Sequence, residues 1–156
     1  MKLKIVSLIK KQEAELRAAE QEYLRRISKF TPCELVELRR AEIHEDRGDA
    51  AKILKGEARK LEGVLKDRAV LVVLDKAGKE YNSEELSAWL AARMNEGQDL
   101  VFVLGGPLGL SEEISQKARW KMSLSKLTFT HKLARVILLE ALYRALEIGR
   151  GSRYHK

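Results

Sequence analysis

Ala69-Val70-Leu71-Val72-Val73-Leu74 and Leu100-Val101-Phe102-Val103-Leu104 are unbroken apolar runs. Neither alternates apolar with polar residues. A strand with one wet face alternates, whereas a strand buried on both faces does not, and such strands belong to parallel sheets covered by helices. Between the two runs, Ser83 is positioned to cap a helix. Glu84 and Glu85 occupy its first turn, Leu86, Trp89, Leu90 and Met94 share a face, and Gly97 ends it. Strand, helix, strand is the unit a parallel sheet requires.

The same alternation extends in both directions. Lys2 to Ile9 reads as a strand, Gln12 to Ser28 as a helix stopped at Thr31-Pro32, and Cys33 to Leu38 as a second strand. Arg39 to Gly48 is a charged loop, with Asp49 capping a helix to about Leu65. Asp75 to Lys79 and Gly105 to Leu110 are expected loops, and Ser111 caps a short helix. Lys121 to Ser123 is a short strand, Lys132 to Ile148 a final helix, and residues 149–156 a polar tail. One α/β domain over residues 1–156 with a mostly parallel sheet follows. No linker, internal repeat or low-complexity segment interrupts it.

Composition narrows the function classes. With 156 residues, 45% hydrophobic and 34% charged, the chain suits one globular domain. Its one cysteine excludes a disulfide framework and a thiolate-rich zinc site. Cys33 reads as a packed small residue, and His44, His131 and His155 lack metal-ligand spacing. No metal is expected. No run is long enough to span a bilayer, and Lys10-Lys11 break the apolar start too early for an export signal, so no membrane partner and a cytoplasmic setting are expected. The net charge of +7 is uneven: residues 115–156 alone carry 10 basic and 2 acidic groups. Such a concentration suits a polyanion, because each cation placed on a phosphate releases a counterion.

The final helix is apolar on more than one face, through Val136, Ile137, Leu138, Leu139, Leu142, Leu146 and Ile148. A helix lying on a sheet needs a single stripe, so a homodimer through this helix is expected in preference to deeper burial within one protomer. Ligands in open α/β sheets gather at the carboxyl ends of strands. Three segments qualify, after Leu74, after Leu104 and after Ser123. Gly105-Gly106-Pro107-Leu108-Gly109 offers bare backbone, though its spacing fits neither a dinucleotide fingerprint nor a P-loop. Leu124 to Thr130 is apolar with interspersed hydroxyls and leads into His131 and Arg135, which share a face at the helix amino end. Asp75, at a strand end, reads equally as a catalytic carboxylate or a loop cap.

The ordered set Leu74-Asp75 with Gly78-Lys79, Gly105 to Leu110, Ser123 to Phe129, His131, Arg135, Glu140, Tyr143-Arg144-Ala145 and Tyr154-His155-Lys156 resembles the RlmH family. These are small SPOUT-class methyltransferases acting on pseudouridine in large-subunit ribosomal RNA. Met1 to Ile5 and Tyr23 to Arg26 fit as well, so the similarity spans the chain. The resemblance implies a SPOUT-type fold with a trefoil knot over about residues 100–156, and a homodimer. It implies S-adenosyl-L-methionine as methyl donor and N3 of a pseudouridine in 23S ribosomal RNA of the ribosome as acceptor. Carried over, main-chain groups of Leu74, Gly105 and Gly106 and the segment Leu124, Ser125, Lys126, Leu127, Thr128 and Phe129 hold the donor. Tyr154 and His155 would complete the partner subunit's site near the acceptor base. Removing the imide proton nominates His131 or His155 as base, with Arg135 and the tail cations on phosphates. A non-catalytic, dimeric RNA-binding or nucleotide-sensing α/β module is the rival reading. Three positions depart from the family pattern: Leu108 stands where Glu is usual, Thr130 where proline often precedes the histidine, and Ala141 where Gln often follows the glutamate.

Overall fold

The computed structural model describes residues 1–9, 12–39, 50–65 and 69–152. The two expected long apolar runs form β3 (Val70–Glu80) and β4 (Leu100–Leu104), joined by α3 (Ser83–Asn95). Before them come β1 (Leu3–Ile9), α1 (Ala14–Ile27), β2 (Cys33–Arg39) and α2 (Ala50–Val64). After them come α4 (Glu112–Lys117), β5 (Trp120–Ser123) and α5 (His131–Gly149). The expected cap Asp49, the charged loop from Arg40 to Gly48, His44, and the tail residues Arg153, Tyr154, His155 and Lys156 lie outside the described residues.

Five strands make one sheet in the order β2-β1-β4-β3-β5, and every pairing is parallel. β4 is central, and all five of its residues are buried, as a strand covered on both sides requires. On one face, Ile27 of α1, Leu86 and Leu90 of α3, and Leu138, Leu139 and Leu142 of α5 pack on Leu3, Ile5, Phe102 and Leu104. On the other, Ala58 and Leu61 of α2 and Ile114 of α4 pack on Val6, Leu8, Val73, Val101 and Val103. The chain leaves β1 and β3 toward the first face but leaves β4 toward the second. Adjacent strands whose connections diverge open a crevice at their carboxyl ends.

Two boundaries depart from expectation. Asp75 to Lys79, read as a loop, belongs to β3. The ladder with β5 breaks after Leu74↔Met122 and resumes at Lys79↔Met122, so four residues bulge out before pairing is recovered. A Cβ on Gly78 would lie 2.6 Å from backbone atoms of Lys121 and Met122, so this second approach to β5 requires glycine. The cap of α3 is Asn82 rather than Ser83. Its side chain accepts from Glu85 N, while the Glu85 carboxylate accepts from Asn82 N. That reciprocal capping box satisfies two donors where a Ser83 cap would satisfy one.

Cys33, the first residue of β2, is half-buried, and burial pushes its thiol up to about 12, with nearby Glu34 acting in the same direction. At pH 8 only about one thiol in ten thousand is then ionised. Iodoacetamide at pH 8 is expected to leave the native protein unmodified over an hour and to alkylate it promptly in guanidinium, as intact mass would show. Leu142 is fully buried where α5 meets the sheet. Leu142→Ala is expected to cost about 2–5 kcal/mol in denaturant unfolding, because the lost methyl groups leave a cavity.

Candidate functional site

At the carboxyl ends of β4, β3 and β5, three chain segments surround one cleft of about 480 Å3. That is within the usual range for small-molecule sites. Leu74, Asp75 and Lys76 come from the end of the first β3 ladder. Gly105 to Leu110 follow β4, and Ser123, Leu124, Ser125, Leu127, Thr128 and Phe129 follow β5. His131 and Ala134, in the first turns of α5, complete the lining. These are the three strand-end segments that the sequence nominates.

The β4 loop owes its shape to glycine. Gly109 N donates to Gly106 O at 2.8 Å, closing the turn, and Gly109 takes a positive φ of 78°. A Cβ on Gly105 would sit 2.6 Å from Gly109 O. The two backbones therefore touch, and the loop stays thin beside the cleft. Ser111 then caps α4 by accepting from Ile114 N.

The β5 loop is held by its own hydroxyls. Ser123 Oγ donates to Ser125 O, and Ser125 Oγ accepts from Leu127 N, each at 3.0 Å. This folds residues 123–127 into side-chain-stapled turns, which substitute for strand hydrogen bonds. Leu127 consequently points outward and is 73% exposed, while Phe129 is half-buried. Thr130 caps α5 by accepting from Leu133 N at 3.3 Å, a contact that a proline side chain could not make. On β3, the Asp75 carboxylate accepts from Ala77 N, which favours the loop-cap reading of that residue.

The expected site residues do not all meet. Leu74, Gly105, Gly106, Leu124, Ser125, Leu127, Thr128, Phe129 and His131 line the cleft, whereas Lys126 is exposed and outside its lining. Arg135 takes a different place. It shares a helix end with His131 but lies outside the cleft lining and is fully buried. Its Nη2 donates to Glu20 Oε2 at 2.7 Å and to Glu37 Oε1 at 2.9 Å. Those partners stand far away in sequence, so spacing along α5 could not reveal them. In this structure the guanidinium is engaged by those two carboxylates. Tyr154 and His155 fall outside the described residues. Met122, Ser115 and Ala134 are lining residues that the motifs did not nominate. Met122 was within reach of pattern reasoning, since it sits on the short strand directly before the loop.

The basic excess of the last quarter is partly internal. Lys117 pairs with Glu62 and Glu113, Lys132 with Glu13, and Arg144 with Glu140. Arg119, Lys121 and Lys126 are exposed and have no ion pair among the described residues. Arg119 stands just before β5, Lys121 on it and Lys126 in the loop that follows it. No group of three or more potential metal ligands occurs among the described residues, and no described helix is long and apolar enough to cross a membrane.

Comparison with known proteins gives the family. A family model described as predicted SPOUT methyltransferase matches residues 1–155. The ribosomal RNA large subunit methyltransferase H of Streptococcus mutans is 38% identical over 159 residues, covering 100% of both chains. The protein of that name from Geobacter metallireducens is 40% identical over 157 residues, covering 99% of each. That from Acinetobacter baylyi is 34% identical over 158 residues, covering 100% of this chain and 99% of its own. With its parallel α/β sheet and a cleft at the ends of β4, β3 and β5, the chain belongs to the SPOUT methyltransferase family, among its ribosomal RNA large subunit methyltransferase H members.

Proposed function

We propose that this methyltransferase transfers a methyl group from S-adenosyl-L-methionine to N3 of a pseudouridine in 23S ribosomal RNA, acting in the cytoplasm as a homodimer. The supporting observation is the convergence of three strand-end segments on one cleft. The donor fits the residues there. Leu74, Leu104 and Met122 give an apolar wall, Gly105 and Gly106 leave main-chain groups approachable, and the stapled turn at Ser125 adds polar atoms opposite. Within this reading, Leu74, Gly105, Gly106 and the segment from Leu124 to Phe129 hold the donor, with Lys126 directed to solvent.

S-adenosyl-L-methionine, when bound, supplies a methyl group activated by its sulfonium. The chain's own contribution is alignment and exclusion of water, and alignment alone is worth about 7–11 kcal/mol of a bimolecular barrier. An imide nitrogen must also lose its proton. His131 at the cleft and His155 of the tail are the candidate bases, because imidazole titrates near neutral pH. Tyr154 stacks on the acceptor base in this reading. Arg119, Lys121 and Lys126 take the phosphate role first expected of Arg135.

The homodimer reading draws on α5. Its buried side packs on α1, α3 and the sheet, yet Leu133 remains 39% exposed and Val136, Ile137, Ala141 and Ile148 are half-buried. The support for the knot reading, over about residues 100–156, is the SPOUT family match, and the β5 pairing adds only a bulge in β3.

Three measurements test the proposal. Calorimetry with S-adenosylhomocysteine is expected to give one site per chain. Gly105→Ala should weaken it about tenfold or more, since the new methyl must displace the Gly109 carbonyl. Parent-like affinity in that variant would remove the glycine loop from the donor site. Of His131→Ala and His155→Ala, one is expected to lose about 10²–10⁴-fold in turnover while still binding S-adenosylhomocysteine. Near-normal turnover in both would leave proton removal to solvent. Mapping of 23S ribosomal RNA from cells without the protein should show one pseudouridine lacking its N3 methyl group, restored with the gene. A methyl group restored at carbon or at another nitrogen would reject the assignment.

A further inference from the structure

We propose that Arg135 is a positioning residue, which sets the loop from Leu124 to Thr130 against the cleft through a clamp with buried Glu20 and partly exposed Glu37. The proposal rests on the reading of that cleft as the donor site. One row across the sheet carries the argument. Glu37, Ser7, Leu104, Leu74 and Met122 pair in succession on β2, β1, β4, β3 and β5. Paired residues of a parallel ladder point to the same face, here the α5 face. Leu104, Leu74 and Met122 form cleft wall, while Glu37 and Ser7 make the other half of the row polar.

The start of α5 bridges the two halves. His131 and Ala134 face the cleft, and Arg135, the next residue, reaches the polar half. Gln12, two residues before α1, joins the same cluster. Its Nε2 donates to Glu20 and to Lys132 O, the latter at 3.3 Å, and Lys132 itself pairs with Glu13 at 2.7 Å. Thus α1, β2 and the first turn of α5 are pinned together immediately after the β5 loop. That loop runs straight into α5 at His131, so a shift of α5 along its axis moves the loop directly.

Net stability is a poor reason for this cluster. A buried ion pair often does no better than apolar residues of similar volume, whereas removing one partner strands a charge. The pair's distinctive product is registry. Charge-paired groups accept one placement of α5, whereas an apolar contact tolerates sliding. One guanidinium nitrogen, Nη2, makes both carboxylate contacts, and Nε and Nη1 have no hydrogen-bond partner among the described residues. A lysine ammonium offers the same point charge.

The test compares ligand-free full-length variants by hydrogen exchange at residues 124–130, with S-adenosylhomocysteine calorimetry alongside. Glu20→Leu/Arg135→Met replaces the charges with apolar volume and leaves Glu37, which Arg17 also approaches at 3.5 Å. It is expected to melt close to the parent, yet to exchange about tenfold faster at 124–130 and bind about tenfold more weakly. Arg135→Lys is expected to restore much of both. Glu20→Gln, a milder change for use if the double variant does not fold, should still speed exchange in that loop. Parent-like exchange at 124–130 in the folded double variant, or in Glu20→Gln where the double variant is unfolded, would overturn the proposal. Equal acceleration throughout α1, β2 and α5 would reduce the clamp to a structural support and overturn it also. A parent protein that ignores S-adenosylhomocysteine would sink the donor reading, while the exchange data would still judge the clamp.

Discussion

The backbone contact between Gly105 and Gly109 is the constraint on which the functional end of this molecule rests. β4 is the central strand, and its carboxyl end would normally be filled by the side chains of whatever follows it. Here the chain reverses so tightly that a single methyl group on Gly105 would strike the Gly109 carbonyl. The reversal leaves a thin wall between the sheet and α4, and the space that side chains would have filled becomes cleft. The bulge of β3 after Leu74 and the loop after β5 approach the same space because β4 has those strands on one side and its connection leaves toward the opposite face.

α5 joins this end to the core. Along most of its length it is an ordinary packing helix, with Leu138, Leu139 and Leu142 fully buried. Its first turns do something different, facing the cleft through His131 and Ala134 and the polar clamp through Arg135. Glu20 shows how costly that clamp is. Burial raises its carboxyl above the ordinary range, even though Arg135 and Gln12 act in the opposite direction. Removing water from this carboxylate opposes its ionised form, as burial of any charge does, and the Arg135 contact offsets part of that cost.

Most of the architecture was legible from apolar pattern. The runs ending at Leu74 and Leu104 could only be doubly covered strands, and their loops could only lie at one rim of a parallel sheet. The site was legible where it is made of backbone, because glycine and small hydroxyl residues mark themselves by type. It was illegible where it depends on distant partners. Arg135 at the amino end of a helix looks like an anion-binding group, and nothing nearby in sequence announces Glu20 and Glu37. The extension of β3 was hidden for a related reason. Asp75 to Lys79 has turn-like composition, and only the backbone of β5, pressed against Gly78, draws that segment back into pairing. Asn82, by contrast, stood with Glu85 at capping-box spacing, a signal that outranks Ser83 once the reciprocal bond is considered.

The departures at Thr130 and Leu108 bear on the cleft in different ways. Thr130 replaces a stiff residue with a hydrogen-bonded one, and its side chain satisfies Leu133 N at the start of α5. The helix entry therefore stays fixed by a cap in place of a ring. Leu108 is a change of charge. It lines the cleft and is 40% exposed, and no carboxylate of the neighbouring helix turns inward to replace the usual glutamate: Glu112 bonds Gln116 and Glu113 pairs with Lys117. The side chain at position 108 therefore brings apolar surface and no charge to the cleft rim. The substitution changes the charge of the rim and leaves the Gly105–Gly109 contact, which is made of backbone, unchanged.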